Sequence, residues 1–350
     1  VLNTDSSVHC ALADGYQAVL AGDRNIVLRT TGAAGSFLDF AHSVAAGLSR
    51  RPRTLECRFL YDARGSELYE KITAQPEYYP TRTEAGILAR EAPRLRSLCG
   101  PATLLEFGSG SSAKTKHLLD AWLAVDFQVR YIPVDVSESA LLQANRAISE
   151  RHPRVRVIGI NSTYEEAFAL LPDASPTLVI FLGSSIGNFT EAEAVGFLRR
   201  LAASLGPEDK FLLGLDLVKE PAILEAAYND AAGVTAAFTR NLFARMNREL
   251  GCRLDLASIE HIARWHPERR QMEIFARFNQ PQTIHVRALG MRFPIDAGEE
   301  IQVEISRKFD PAALPEWCAA CGLTLRETFT DDNRWFALLL LEKTATGSAS

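Results

Sequence analysis

The sequence predicts an α/β fold in which a doubly wound, mostly parallel sheet carries a second, smaller α+β domain. Three observations predict it. From about residue 100 to 218, apolar runs of strand length alternate with helix-patterned segments, the rhythm of a parallel sheet with crossover helices. After Val218 that rhythm breaks into a long helical stretch and a group of strand-like runs, which reads as an insertion into the sheet domain. The length of 350 residues, 47% hydrophobic and 23% charged, gives room for one large domain or two ordinary ones around a sizeable core.

Taken in order, residues 1–35 are polar, with "RTTGAAGS" near their end, and read as an N-terminal extension or arm. Helical apolar spacing falls on 37–50 ("FLDFAHSVAAGLSR"), and short helices then surround the aromatic, proline-containing loop "PEYYPTRTE". The sheet domain reads as strand "ATLLEF", helix "SAKTKHLLDAWL", strand "QVRYIPVDV", helix "ESALLQANRAISER" and strand "VRVIGI". A helix from about 164, strand "TLVIFLG", a helix at 190–204 and strand "KFLLGLDLV" continue it. In the insertion, "EPAILEAAYNDAAGVTAAFTRNLFARMNREL" reads as one helical stretch, followed by strands "QMEIFARF", "QTIHVRAL" and "VEISRKF". Helix "AALPEWCAACG" and strands "LTLRETFTD" and "RWFALLLLEK" close the chain. Within "IQVEISRKF", period-2 alternation puts Gln302, Glu304 and Ser306 on one face and Ile301, Val303 and Ile305 on the other.

Charge and cysteine usage narrow the function. A net charge of −5 leaves no basic excess to attract a phosphate backbone, so small-molecule chemistry is expected rather than nucleic-acid binding. No run approaches the ~20 apolar residues of a membrane span, and "VLNTDSSVHC" lacks the basic start and apolar block of a secretory signal. Six mostly scattered cysteines suit a reducing cytoplasm. The close pair in "WCAACG" has no second CxxC or histidine partner nearby and sits at the expected end of a helix. His261 and His266 are five apart without an HExxH arrangement, so no metal site is expected. The expectation is a cytoplasmic monomer acting on a small molecule, with neither nucleic acid nor membrane as partner.

Two motifs mark a ligand crevice. "LLEFGSGSSAKTKHLL" places Gly108, Gly110 and Ala113 between strand and helix in G-x-G-x-x-A spacing, which lets backbone approach a ligand closely. On its own the motif is weak, a plain tight strand-to-helix turn being the alternative. Asp135 ends the next strand, where a carboxylate can accept both hydroxyl protons of a ribose. It follows Gly108 by 27 residues, longer than the ~20 of dinucleotide folds. That spacing, and Glu106 two residues before the first glycine, resemble class I S-adenosylmethionine (SAM) methyltransferases, leaving NAD as the runner-up cofactor. "FLGSSIGNF" (181–189) follows the fourth strand, with Gly183, Gly187 and Asn188 able to contact a ligand; alternatively Asn188 or Thr190 is simply an N-cap.

Beyond these motifs, "RFLYDARGSELYEKITAQPEYYPTRTEAGIL", "LEFGSGSSAKTKHLLDA", "YIPVDVS", "FLGSSIGNF", "GLDLVKEPAILEAAYNDAAGVTAAFTRN" and "VEISRKF", in this order from about residue 37 to the end, resemble the bacterial L-histidine Nα-methyltransferases of ergothioneine biosynthesis. The resemblance implies three methyl transfers from SAM to the α-amine of histidine, giving the betaine hercynine. It implies an extension over 1–29, a substrate-binding domain from 30–81 and 217–308, and a Rossmann-like SAM domain from 82–216 and 309–350. Carried over by residue, it assigns Gly108, Ser109, Gly110 and Lys114 to the methionine end of SAM, Asp135 to the ribose and Tyr164 to the adenine. Thr163 stands where the family commonly has an acid; its hydroxyl can accept from the adenine amine, without charge assistance.

On the substrate side the resemblance assigns Asn188 and Tyr228 to the carboxylate, and Tyr61 and the carbonyl of Gly183 to the α-amine. It assigns Tyr78 to an imidazole contact and Glu304 with Ser306 to the far side of the ring. Ile274 replaces a family methionine in that pocket. For each tyrosine the plain alternative is packing. A phenol with an ordinary pKa of ~10 is a poor general base, so Tyr61 is expected to orient the amine. Transfer to tryptophan or tyrosine, and a SAM-binding regulator without turnover, are the alternative functions.

Overall fold

The structure is a computed structural model that describes residues 26–29 and 37–345. Its thirteen strands are β1 (Ile26–Arg29), β2 (Thr103–Phe107), β3 (Val129–Asp135), β4 (Val155–Asn161), β5 (Thr177–Phe181), β6 (Lys210–Asp216) and β7 (Ile259–His266). They continue with β8 (Gln271–Phe278), β9 (Gln282–Val286), β10 (Met291–Ile295), β11 (Glu300–Arg307), β12 (Leu323–Thr330) and β13 (Phe336–Lys343). The described chain forms two compact units: 26–29, 80–217 and 309–345 make the first, and 37–79 with 218–308 the second.

The first unit is built on an eight-stranded sheet ordered β1-β4-β3-β2-β5-β6-β13-β12. β13 runs antiparallel to both β6 and β12, and the other pairings are parallel. Every residue of β2 and β5 is buried, as expected where helices cover both faces of a parallel sheet. Alternate residues of β2 enter different cores: Leu105 and Phe107 pack with Phe181 and Phe197, whereas Leu104 packs with Trp122, Tyr131 and Phe336. The strand order reverses at β2, so the carboxyl ends of β2, β3 and β5 border the crevice in which such sheets bind ligands.

Several elements depart from the sequence reading. Of the extension expected over 1–29, residues 26–29 are a sheet strand in parallel register with β4; the rest lies outside the described residues. The helix expected after "FGSG" starts only at Lys116, leaving 108–115 as a loop. The helix expected from 164 is a 3-10 turn, Glu166–Leu170, and a single turn, Leu171–Ala174. Pro172 at its start donates no N–H and so cannot continue the preceding turn. Thr190, not Asn188, caps helix Glu191–Ser204, in a capping box with Glu193.

The second unit pairs helices Phe37–Ser49, Ala63–Thr73, Pro221–Tyr228 and Val234–Arg245 with an antiparallel sheet β11-β8-β7 and a hairpin β9-β10. The expected long helix is therefore two. Gly233 adopts φ +70° and Asp230 accepts from Val234 N at 2.7 Å and Thr235 N at 2.8 Å, starting a new helix. In β11 a bulge between Gln302 and Glu304 interrupts strict alternation. Ile301 and Val303 are buried as expected, but Ile305 is partly exposed while Ser306 is buried.

Candidate functional site

In the first unit, the loop after β2 is tied to the end of β3. Gly108 N donates to the Val134 carbonyl at 2.8 Å, and Gly110 N donates to Asp135 Oδ2 at 2.9 Å. Asp135 Oδ1 accepts from Ser137 N at 2.8 Å. Burial pushes this carboxyl up while the Ser137 and Gly110 N–H groups pull it down. The Val136 N–H adds to that pull, and a carboxylate with about four lone-pair sites still has room for a ligand hydroxyl beside these three donors.

Gly108 is required twice over: its φ is +65°, and a Cβ there would stand 2.8 Å from the Tyr164 hydroxyl. Tyr164 packs edge-on against Phe181, centroids 5.2 Å apart, which fixes its ring beside the loop. Thr163 Oγ1 accepts from Glu166 N at 3.4 Å, a local contact to the start of the following turn that the sequence reading had not given it.

Ser109 Oγ is buried with no hydrogen-bond partner. An orphaned hydroxyl inside a glycine loop, next to an acid at the end of the adjacent strand, fits the amino-acid end of a SAM molecule. Gly108, Ser109, Gly110, Asp135 and Tyr164, expected to hold that cofactor, are brought together around this loop.

Glu106 does not reach this ligand surface. It is 2% exposed and accepts from Thr115 Oγ1 at 2.7 Å and from the Tyr131 hydroxyl, which lies 2.7 Å from Ser112 Oγ. Burial pushes its carboxyl up to about 7 against the pull of those donors.

Glu84 is a residue the sequence reading missed. Its side chain is fully buried on helix Tyr79–Cys99, where both carboxylate oxygens lie 2.9 Å from Gly183 N and Oε2 also accepts from Lys114 Nζ. Gly214 on β6 makes room for it: a Cβ there would lie 2.2 Å from Glu84 Oε1. One carboxylate therefore fixes both Gly183 (φ +74°) and Lys114. Its signal was the Glu of the quoted "PEYYPTRTE" block. Asn188 ends the short turn Ser185–Asn188 that follows.

In the second unit the expected tyrosines form an aromatic cluster. Tyr61 meets Tyr69 and Phe238 edge-on at 5.5 and 5.4 Å, and Tyr78 meets Tyr69 and Tyr228 at 6.4 and 6.3 Å. Burial raises the Tyr78 phenol well above its ordinary value, helped by Tyr69 and Tyr228. Tyr69 and Phe238 had not been singled out. Asp62, next to Tyr61, caps helix Ala63–Thr73 through Gly65 N at 2.7 Å and accepts from Asn241 Nδ2 at 2.7 Å. Tyr228 ends helix Pro221–Tyr228, and its carbonyl lies 2.8 Å from His261 Nε2. That contact makes Nε2 the protonated nitrogen of His261, and Nδ1, 2.9 Å from Thr239 Oγ1, the acceptor.

Glu304 and Ser306 lie on β11, with Ile274 of β8 directly across from Glu304. Burial pushes the Glu304 carboxyl up to about 7, and Lys308 pulls it down. Ser306 Oγ accepts from the Tyr228 hydroxyl at 2.7 Å and from Lys308 Nζ at 2.8 Å. Lys308 Nζ also donates to the Tyr228 hydroxyl at 3.0 Å. The structure thus ties Tyr228, expected at a carboxylate, to Ser306, expected at the ring, and adds a buried lysine that alternation alone did not single out.

The five cysteines among the described residues are free. Cys318 and Cys321 are buried, and burial raises both thiols, that of Cys318 to about 12, so neither is a reactive thiolate. No described helix is long and apolar enough to cross a membrane.

Comparison with known proteins gives a consistent picture. Residues 40–343 match the family model described as "Histidine-specific methyltransferase, SAM-dependent". The histidine N-alpha-methyltransferase of Mycolicibacterium smegmatis is 42% identical over 297 residues, 85% of this chain and 92% of that one. That of Mycobacterium tuberculosis is 40% identical over 306 residues, 87% and 95% of the two chains. Ergothioneine biosynthesis protein 1 of Neurospora crassa is 34% identical over 205 residues, 57% of this chain and 23% of that one.

Proposed function

The chain belongs to the histidine-specific, SAM-dependent methyltransferases, and we propose that it methylates the α-amine of L-histidine three times, giving hercynine for ergothioneine synthesis. The observation that carries the substrate is the placement of half-buried Glu304 and buried Ser306 two residues apart on β11, with Lys308 bonded to Ser306. An imidazole presents one N–H and one lone pair on separate ring atoms, matching a carboxylate and a hydroxyl. An indole presents one N–H and no acceptor, leaving a polar group buried without a partner.

SAM supplies a methyl group on a positively charged sulfur. The protein's task is alignment: in-line displacement needs a neutral nitrogen lone pair about 3–3.5 Å from the methyl carbon, and neither a metal nor a covalent enzyme intermediate. Gly108, Ser109, Gly110 and Asp135 hold the donor, and Tyr164 packs beside its base. Lys114 acts through Glu84 to hold the Gly183 turn. Glu304 and Ser306 hold the ring, with Tyr78 at its side and Tyr228 bonded to Ser306. Asn188 takes the carboxylate. The Tyr61 hydroxyl and the Gly183 carbonyl would orient the amine by accepting its two N–H groups in the first transfer and the one that remains in the second. The third, to a nitrogen without N–H, relies on the hold on ring and carboxylate, and each transfer releases S-adenosylhomocysteine and one proton, taken up by water. The free cysteines favour a cytoplasmic location.

The test is direct. The protein is incubated with SAM and histidine, tryptophan or tyrosine, and products are weighed for one, two or three added methyl groups. Trimethylated histidine is expected. Tryptophan or tyrosine modified in preference overturns the substrate, and no acceptor modified makes the protein a SAM binder without turnover.

A further inference from the structure

The two polar groups that donate to Ser306 restrict what Ser306 can do. A lysine ammonium only donates, and a serine hydroxyl has two lone pairs and one proton. Lys308 Nζ donates to Ser306 Oγ at 2.8 Å and the Tyr228 hydroxyl donates to it at 2.7 Å. Both lone pairs are then used, and what Ser306 still offers is its proton. Lys308 also donates to the Tyr228 oxygen at 3.0 Å, which orients the Tyr228 proton toward Ser306. Lys308 is 4% exposed, and its backbone N is held by the Arg270 carbonyl at 2.7 Å, so it sits where the strand puts it.

We propose that Lys308 is a positioning residue that fixes Ser306 as a hydrogen-bond donor, and thereby makes the Glu304 and Ser306 side chains read the neutral imidazole in one tautomer. Glu304 accepts from the protonated ring nitrogen and Ser306 donates to the unprotonated one. A ring lacking either feature leaves one of the two unmatched. Lys308 touches no reacting atom; it acts through Ser306. The inference rests on the reading of Glu304 and Ser306 as the imidazole-binding residues.

A double-mutant cycle tests it, read as KM for histidine and KM for SAM. S306A is expected to raise the KM for histidine about ten-fold, the loss of one buried hydrogen bond at ~1.4 kcal/mol. K308M is expected to raise it similarly with KM for SAM within two-fold, and the double variant to be no worse than either single. K308Q, whose amide still donates, keeps KM within about three-fold. S306A without effect on histidine KM overturns the ring-binding reading itself. Given an effect of S306A, three outcomes overturn the role of Lys308: additive losses near a hundred-fold, a K308Q as impaired as K308M, or equal losses toward SAM and histidine. If K308M does not fold, K308Q alone and in the S306A background gives the same discrimination.

Discussion

Glu84→Gln is the substitution whose consequence the structure fixes most tightly. The carboxylate has two obligations, the Gly183 N–H at 2.9 Å and the Lys114 ammonium, and both are donors. A glutamine has one acceptor oxygen and one NH2 group, so whichever way it turns, a donor faces a donor. Severing a fully buried ion pair costs about 3–5 kcal/mol, but Lys114 is 21% exposed and can turn partly to water. Gly183 can keep a neutral hydrogen bond worth ~1 kcal/mol. The balance is a loss of about 2–3 kcal/mol, which urea unfolding of the variant would register as a lower midpoint. Because Lys114 and the Gly183 turn border the proposed donor site, KM for SAM is expected to rise at least ten-fold, with KM for histidine less affected. A variant within 0.5 kcal/mol of wild type, with KM for SAM unchanged, would refute the reasoning.

Glu106→Gln keeps an oxygen for Thr115 and Tyr131 but cannot ionise. Wild-type Glu106 holds its proton to about 7 in the fold, against 4.5 ordinarily. Folding therefore loses stability as pH rises from about 4.5 to 7, by up to ~3 kcal/mol, and the variant should lose a large part of that slope in urea titrations at pH 5 and pH 8; an unchanged slope would exclude Glu106 as its source. Tyr61→Phe should leave histidine binding nearly intact and shift the product from three methyl groups toward one or two by mass. A raised KM with normal trimethylation contradicts the orienting role. Glu304→Ala should cut kcat/KM for histidine relative to tryptophan by about ten- to a hundred-fold, a charged hydrogen bond being worth ~1.5–3 kcal/mol, and change SAM binding little. Equal losses toward both would make β11 merely structural.

How far the sequence foretold these features depends on whether hydrophobic period carried them. β2, β3, β5 and β6 are continuous apolar runs, and the pattern located each of them. β7, "IEHIARWH", carries Glu260, His261, Arg264 and His266 on a mostly half-exposed strand, so no apolar rhythm announced it. The break at Asn229–Gly233 was hidden because its neighbours on both sides are good helix formers; only the Asp230 cap and Gly233 marked it. Likewise the candidate site residues on motifs could be named one by one from the sequence, whereas Glu84 could not. Its carboxylate gains meaning only from Lys114, Gly183 and Gly214, which fold to it from three distant segments. Lys308 belongs to the same class, since its partner Tyr228 is 80 residues away.

Glu106 and Glu304 show why a raised carboxyl cannot by itself identify a site. Both are pushed to about 7 by burial. Glu106 is enclosed by hydroxyl donors, Thr115 and Tyr131, whose protons it already holds, and through Tyr131 it supports Ser112, which adopts φ +53° in the glycine loop. Its donors are neutral and internal, so nothing is left for a ligand to bring. Glu304 lies instead on β11 two residues from Ser306, and Lys308, which donates to Ser306 and Tyr228, pulls its carboxyl down. A carboxylate has about four lone-pair sites, room for an incoming N–H beside an internal partner, and under the proposed function a substrate imidazole supplies one. The same shift therefore accompanies a strut in one unit and a proposed substrate contact in the other, and E106Q and E304A should separate on this line: the first loses pH-dependent stability with its substrate preference intact, the second loses its substrate preference.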